Sequence, residues 1–143
     1  MPVKKKAHGS WTGTPSAGTG TMNTDEGERE GKFNTGTRFA DGRGINPEEV
    51  LGAAHAGCFS ITLSGLLDSD GHKPAEVDTT ADVKLEKSEA GYYIDAIELT
   101  TRVKADAINQ EKLDELAEQA KKKCMVSKAL DALDISVKAE VIR

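Results

Sequence analysis

Three features of the 143-residue sequence predict an α+β fold. The run from Val77 to Glu86 alternates apolar and polar residues with the period of a strand, and Ile97 to Lys104 repeats the pattern. The run from Asn46 to Leu67, NPEEVLGAAHAGCFSITLSGLL, carries no charge beyond Glu49 and reads as a long central helix. Asn109 then caps a second, amphipathic helix.

Taken in order, Trp11–Thr12 and Thr21–Thr24 suggest short strands joined by the turn-rich link Gly13–Gly20. Gly27–Gly36 is polar and reads as a loop. Thr37–Phe39 suggests a short strand, and Ala40–Gly44 a loop that leads to the helix start. There Asn46 is a good N-cap, Pro47 suits the first helical position, and Glu49 stands three residues on to close a capping box. Val50, Leu51, Ala54, Cys58, Phe59, Ile61, Leu63, Leu66 and Leu67 cover most of the circumference, so the helix is expected to be buried on nearly every side. Gly52, Gly57 and Gly65 are then expected where neighbours approach closely. A bilayer span is the competing reading, but Glu48, Glu49 and His55 leave too little apolar length.

Asp70-Gly71 and Pro74 break the chain before the two alternating strands, Val77–Glu86 and Tyr92–Val103. Lys87–Gly91 is the hairpin link between them. One wet face on each predicts an antiparallel sheet covered on its other side. Leu113, Leu116, Ala117 and Ala120 form the apolar stripe of the helix from Gln110 to about Lys122, and Lys121–Lys123 complement its C-terminus. Met125–Leu130 suggests a further short helix, and Ile135, Val137, Ala139 and Val141 alternate through a closing strand. One domain over residues 1–143 is the natural size for such a set.

Composition narrows the function. A net charge of −5 argues against nucleic acid or an anionic membrane as partner, and 4% aromatic residues leaves no stacking platform for single strands. The start, MPVKKKAHGS, has no apolar run of a signal peptide, which makes the cytoplasm the default expectation. Cys58 and Cys124 form neither a CxxC pair nor a zinc-ligand cluster. His55 and Cys58 stand in a His-x-x-Cys pair, yet no further soft ligand clusters nearby, so no metal is called.

Cys58 is the first candidate for chemistry, against the ordinary reading of a cysteine as a small buried hydrophobe. It lies too deep in its helix to be activated by that helix's N-terminus, so a positive partner must come from elsewhere. Arg38 and Arg43 are the arginines just before the helix. Glu48 suits the first helical turn and could also hold an arginine by a bidentate pair. Cys124, after the lysine-rich helix end, is a plausible second reactive thiol. Spacing leaves three classes open: a thiol enzyme, a small-molecule binding module, or a structural stress protein with non-catalytic cysteines.

NPEEVLGAAHAGCFS (Asn46–Ser60), NTGTRFADGRG before it, VDTTADVKLE after it and KKKCMVSKAL around Cys124 resemble the OsmC/Ohr family, a likeness that runs over essentially the whole chain. The resemblance implies an OsmC-like fold, an intertwined homodimer with two long central helices inside and sheets outside. It implies a thiol-dependent peroxidase that reduces organic hydroperoxides, and hydrogen peroxide more weakly. No cofactor is implied beyond an external dithiol or lipoyl-type reductant. Cys58 matches the peroxidatic cysteine, Cys124 the resolving cysteine, Arg38 the arginine that contacts the thiolate, and Glu48 the glutamate that orients it. Active sites of the family lie at the subunit interface, so Arg38 can come from the other chain. Many relatives carry proline directly after the resolving cysteine, in a CPxS pattern. Met125 stands there instead, and loss of the fixed φ is expected to loosen the turn at Cys124.

Overall fold

The computed structural model describes residues 2–24, 30–40 and 44–143. The chain divides into two compact units, Met1–Val50 and Leu51–Arg143, and the boundary falls inside the long helix α2 (Pro47–Ser69). Arg43, residues 27–29 of the expected loop and most of the loop 40–44 lie outside the described residues.

The first unit holds an antiparallel sheet of β1 (Ala7–Thr12), β2 (Thr19–Thr24) and β3 (Glu30–Phe33), in that order. Gly20 is paired with Trp11 on one side and Phe33 on the other. A Cβ at Gly20 would fall 2.6 Å from the Phe33 ring, so only glycine lets that ring cross the strand to reach Trp11, at 5.5 Å between centroids. β3 replaces part of the expected loop. It is the last strand of its sheet, where main-chain pairing with β2 needs no apolar alternation. The expected strand at Thr37–Phe39 is instead the short helix α1 (Thr35–Phe39). Its start is a full capping box: the Thr37 amide donates to Asn34 Oδ1 at 2.9 Å and the Asn34 amide to Thr37 Oγ1 at 2.9 Å. That reciprocal pair outweighs the strand preference of Thr37 and Phe39.

Asn46 caps α2, with the Glu49 amide donating to Asn46 Oδ1 at 2.7 Å, while the reciprocal Glu49 bond of the expected capping box is not among the hydrogen bonds of the described residues. In the second unit β4 (Pro74–Ser88) and β5 (Gly91–Ala105) form the expected antiparallel hairpin, with Gly91 at φ +116° where β5 leaves the turn. β6 (Asp134–Val141) joins the other side of β5 in parallel, which makes the sheet mixed rather than antiparallel throughout. A parallel partner needs a crossover, and α3 (Gln110–Lys123) and α4 (Met125–Ala129) supply it.

The core of this unit joins Phe59, Leu63 and Leu67 of α2 to Ile97, Leu99 and Val103 of β5 and to Leu113, Leu116, Ala117 and Ala120 of α3. Ser60 Oγ donates to Thr79 Oγ1 at 2.8 Å, and Thr79 Oγ1 to Thr101 Oγ1 at 2.9 Å, tying α2 across β4 to β5. Gly52 meets the expectation of close approach: a Cβ there would lie 3.0 Å from Val83. Gly57 and Gly65 do not, since among the described residues nothing stands within 4 Å of a Cβ added at either. They share an open face with Ile61, which is 74% exposed, so the chain buries one face of α2 rather than nearly every side. α2 is long and apolar enough to cross a membrane, but Phe59, Leu63 and Leu67 are fully buried in the core.

The alternation along β5 sets a test of the register. Leu99→Ala is expected to cost about 2–5 kcal/mol and its neighbour Thr100→Ala less than about 0.5 kcal/mol, read as shifts in the urea unfolding midpoint.

Candidate active site

The four residues singled out in the sequence form two pairs. In the first unit Arg38, at the end of α1, meets Glu48, in the first turn of α2. Arg38 Nε donates to Glu48 Oε1 at 2.7 Å, and Nη2 reaches the same oxygen at 2.6 Å. This is not the parallel two-oxygen fork expected of a bidentate pair: Oε2 of Glu48 is buried and has no partner among the described residues. Glu48 is nearly covered while Arg38 remains 44% exposed, so a buried carboxylate orients a guanidinium that still faces outward. The guanidinium also sits 5.2 Å over the Phe39 ring. Beside it, Trp11, Pro15, Phe33, Asn34, Thr35, Arg38 and Phe39 line a largely apolar cavity of about 320 Å³. Asn46 positions this corner, donating from its side chain to the Thr37 carbonyl at 2.9 Å while capping α2.

In the second unit Cys58, three turns into α2, meets Cys124, the residue between α3 and α4. Both are free thiols; Cys58 is partly exposed and Cys124 fully buried. Cys124 closes α3 with its amide donating to the Ala120 carbonyl at 2.8 Å, and opens α4 by accepting the Lys128 amide at 3.0 Å. Burial pushes the Cys58 thiol up, but hydrogen bonds from the Val126 amide, the Cys124 thiol, the Met125 amide and the Thr62 hydroxyl outweigh it. The thiol ends below its ordinary value. The Thr62 hydroxyl already donates to the Cys58 carbonyl at 2.8 Å, so the two amides and the Cys124 thiol carry the effect.

Support for the thiolate is thus imported to Cys58, as its depth in α2 requires, and within this unit it comes from the Val126 and Met125 N–H groups and the Cys124 thiol. Met125 acquires a meaning that a mobile-turn reading does not give it: a proline at this position would have no N–H to donate.

Two residues were missed as members of the site. His55 lies one turn before Cys58 and Ser127 three residues after Cys124. Both are buried, and His55 Nε2 and Ser127 Oγ are 2.7 Å apart. Burial lowers the His55 pKa, which favours the neutral ring. Nδ1 is buried without a partner among the described residues. The spacing His-x-x-Cys signalled a shared helix face, but a hydrogen bond to a residue 72 positions away has no local signature.

An α+β chain that brings two free thiols together belongs with small thiol-bearing proteins. A family model described as OsmC-like protein matches residues 40–140, and the chain belongs to the OsmC/Ohr family. It is 40% identical to Peroxiredoxin OsmC of Escherichia coli (strain K12), over 97% of this chain and 100% of the relative. Among solved structures it is similar to an organic hydroperoxide resistance protein from Elizabethkingia anophelis, at 26% identity and TM-score 0.73, covering 99% of this chain and 98% of the other. It is also similar to OhrB of Bacillus subtilis, at 25% identity and TM-score 0.68, covering 96% and 98%.

The Met125 amide yields a pH prediction. Lowering the Cys58 pKa keeps the thiolate populated at lower pH, so removing a donor moves the titration upward. Met125→Pro keeps a residue suited to the first position of α4 but deletes the N–H. The pH midpoint of Cys58 alkylation by iodoacetamide, followed by mass spectrometry, is expected to rise by about one unit.

Proposed function

We propose that the protein is a thiol-dependent peroxidase that reduces organic hydroperoxides through Cys58, with Cys124 as the resolving thiol. The observation that carries this reading is the pairing of the two free cysteines, with donors arranged to favour the Cys58 thiolate. Family membership supports thiol-based redox chemistry, and the names of the similar proteins, a peroxiredoxin and organic hydroperoxide resistance proteins, support peroxide as the oxidant.

In the proposed cycle the Cys58 thiolate attacks the terminal oxygen of the hydroperoxide. The S–O bond forms as the O–O bond breaks, and the alkoxide leaves and takes a proton to become the alcohol. The guanidinium of Arg38, held by Glu48, stabilises the charge that grows on the departing oxygen. Cys58 is then a sulfenic acid. The Cys124 sulfur attacks it, the S–S bond forms, and the hydroxyl leaves as water, which protects Cys58 from further oxidation. An external dithiol, of lipoyl type or similar, reduces the disulfide by exchange and is itself oxidised to a disulfide. A preference for organic hydroperoxides over hydrogen peroxide is supported by the names of the similar organic hydroperoxide resistance proteins.

The working form in this reading is a homodimer. An apolar helix that leaves Gly57, Ile61 and Gly65 open is suited to close packing against a copy of itself. The cytoplasm remains the proposed location.

With cumene hydroperoxide and a dithiol, Cys58→Ser is expected to lose at least about 10³-fold in turnover, as removal of a nucleophile does. Cys124→Ser is expected to complete one peroxide reduction per chain and then stall. Steady-state turnover by Cys58→Ser would overturn the mechanism. Ile61→Glu is expected to convert a dimer to a monomer in sedimentation velocity; a wild-type monomer at micromolar concentration would refute the assembly.

A further inference from the structure

The N–H groups that favour the Cys58 thiolate belong to α4, which has only five residues. A helix of that length does not hold itself in place, since a single turn barely offsets the cost of its nucleation. Its position must come from tertiary contacts. Its own main-chain bonds, Lys128 N–H to the Cys124 carbonyl and Leu130 N–H to the Val126 carbonyl, shape it without attaching it to α2. Val126 and Leu130 pack against the core and the Met125 and Val126 amides reach Cys58, and the side-chain hydrogen bond that joins α4 to α2 beside that sulfur is the 2.7 Å bond between Ser127 Oγ and His55 Nε2. His55 and Cys58 lie on one face of α2, a turn apart. Ser127 and the donors Met125 and Val126 lie within one turn of α4.

We infer that His55 and Ser127 are a positioning pair, whose hydrogen bond clamps α4 onto α2 so that the Met125 and Val126 amides and the Cys124 thiol stay directed at the Cys58 sulfur. The chemistry of the pair suits the task. A serine hydroxyl can only reach across if α4 is close, and an imidazole spans the remaining gap from α2 with a directional nitrogen. Both groups are buried, 0% and 5% exposed, so water does not compete for the bond. The two residues touch neither substrate nor reacting sulfur in this role. They act through the helix they hold.

The inference rests on the peroxidase reading only for its consequence in the cycle, because the clamp is read out by Cys58 acidity without any peroxide. The test uses the reduced full-length protein and the pH midpoint of Cys58 alkylation. Ser127→Ala is expected to raise the midpoint by about one unit, as loss of one donor to the thiolate would. Ser127→Thr, which keeps the hydroxyl, is expected to stay near wild type. His55→Leu removes the other end of the bond at similar size and is expected to match Ser127→Ala. It carries the test should Ser127→Ala fail to unfold cooperatively. A merely structural role predicts lower stability with an unchanged midpoint in the folded variants, and that result would overturn the inference. A second readout follows disulfide formation after one equivalent of peroxide, which is expected to slow in Ser127→Ala and not in Ser127→Thr. Failure of the peroxidase reading would abolish disulfide formation in wild type while leaving the alkylation midpoints to decide the clamp.

Discussion

A partly buried sulfur three turns into a helix has no access to the free amides of that helix's own N-terminus, and burial alone pushes its thiol toward the protonated form. Everything around Cys58 answers to that constraint. The donors must belong to another element, that element must be close, and it must be held. α4 supplies the donors through the amides of Met125 and Val126, and Cys124 stands at the junction where α3 hands over to α4. The parallel placement of β6 beside β5 requires the chain to cross over, and α3 and α4 are that crossover. Sheet topology and thiol chemistry therefore use the same segment.

The two units solve two different electrostatic problems. In residues 1–50 a nearly buried carboxylate, Glu48, meets a half-exposed arginine, so the ion pair fixes a direction rather than adding much stability. The cap residues Asn34 and Asn46 both contribute here, one starting α1 and the other joining α1 to the start of α2. In residues 51–143 the donors grouped at the Cys58 sulfur, two amides and a thiol, are neutral and favour its thiolate. Burial lowers the His55 pKa, and the value of this residue lies in where its ring nitrogen reaches.

Legibility varied with the range of the interactions. The alternation of Ile97, Leu99, Thr101 and Val103 against Glu98, Thr100, Arg102 and Lys104 was readable because a strand's two faces differ at every step, and all four of the first set are buried. The start of α2 and the stripe of α3 were readable from caps and periodicity. α1 was misread because the β-branched Thr37 weighed more than the Asn34 box that it completes. β3 was missed because a polar segment at the end of a sheet is recruited by main-chain pairing, which leaves no apolar pattern.

By itself, the sequence determined the element types that depend on local periodicity and caps, the α+β class, and, through four matching segments, the family and its candidate residues Cys58, Cys124, Arg38 and Glu48. Only the tertiary structure decided that β6 runs parallel to β5, that one face of α2 stays open around Gly57, Ile61 and Gly65, and that α4 brings Met125, Val126 and Cys124 to Cys58. The physical reason is separation along the chain. Helix caps and alternating faces are settled within a few residues, whereas Cys58 and its donors are more than sixty positions apart. What joins them is the burial of Phe59, Leu63 and Leu67 against β5 and α3, together with one hydrogen bond between His55 and Ser127.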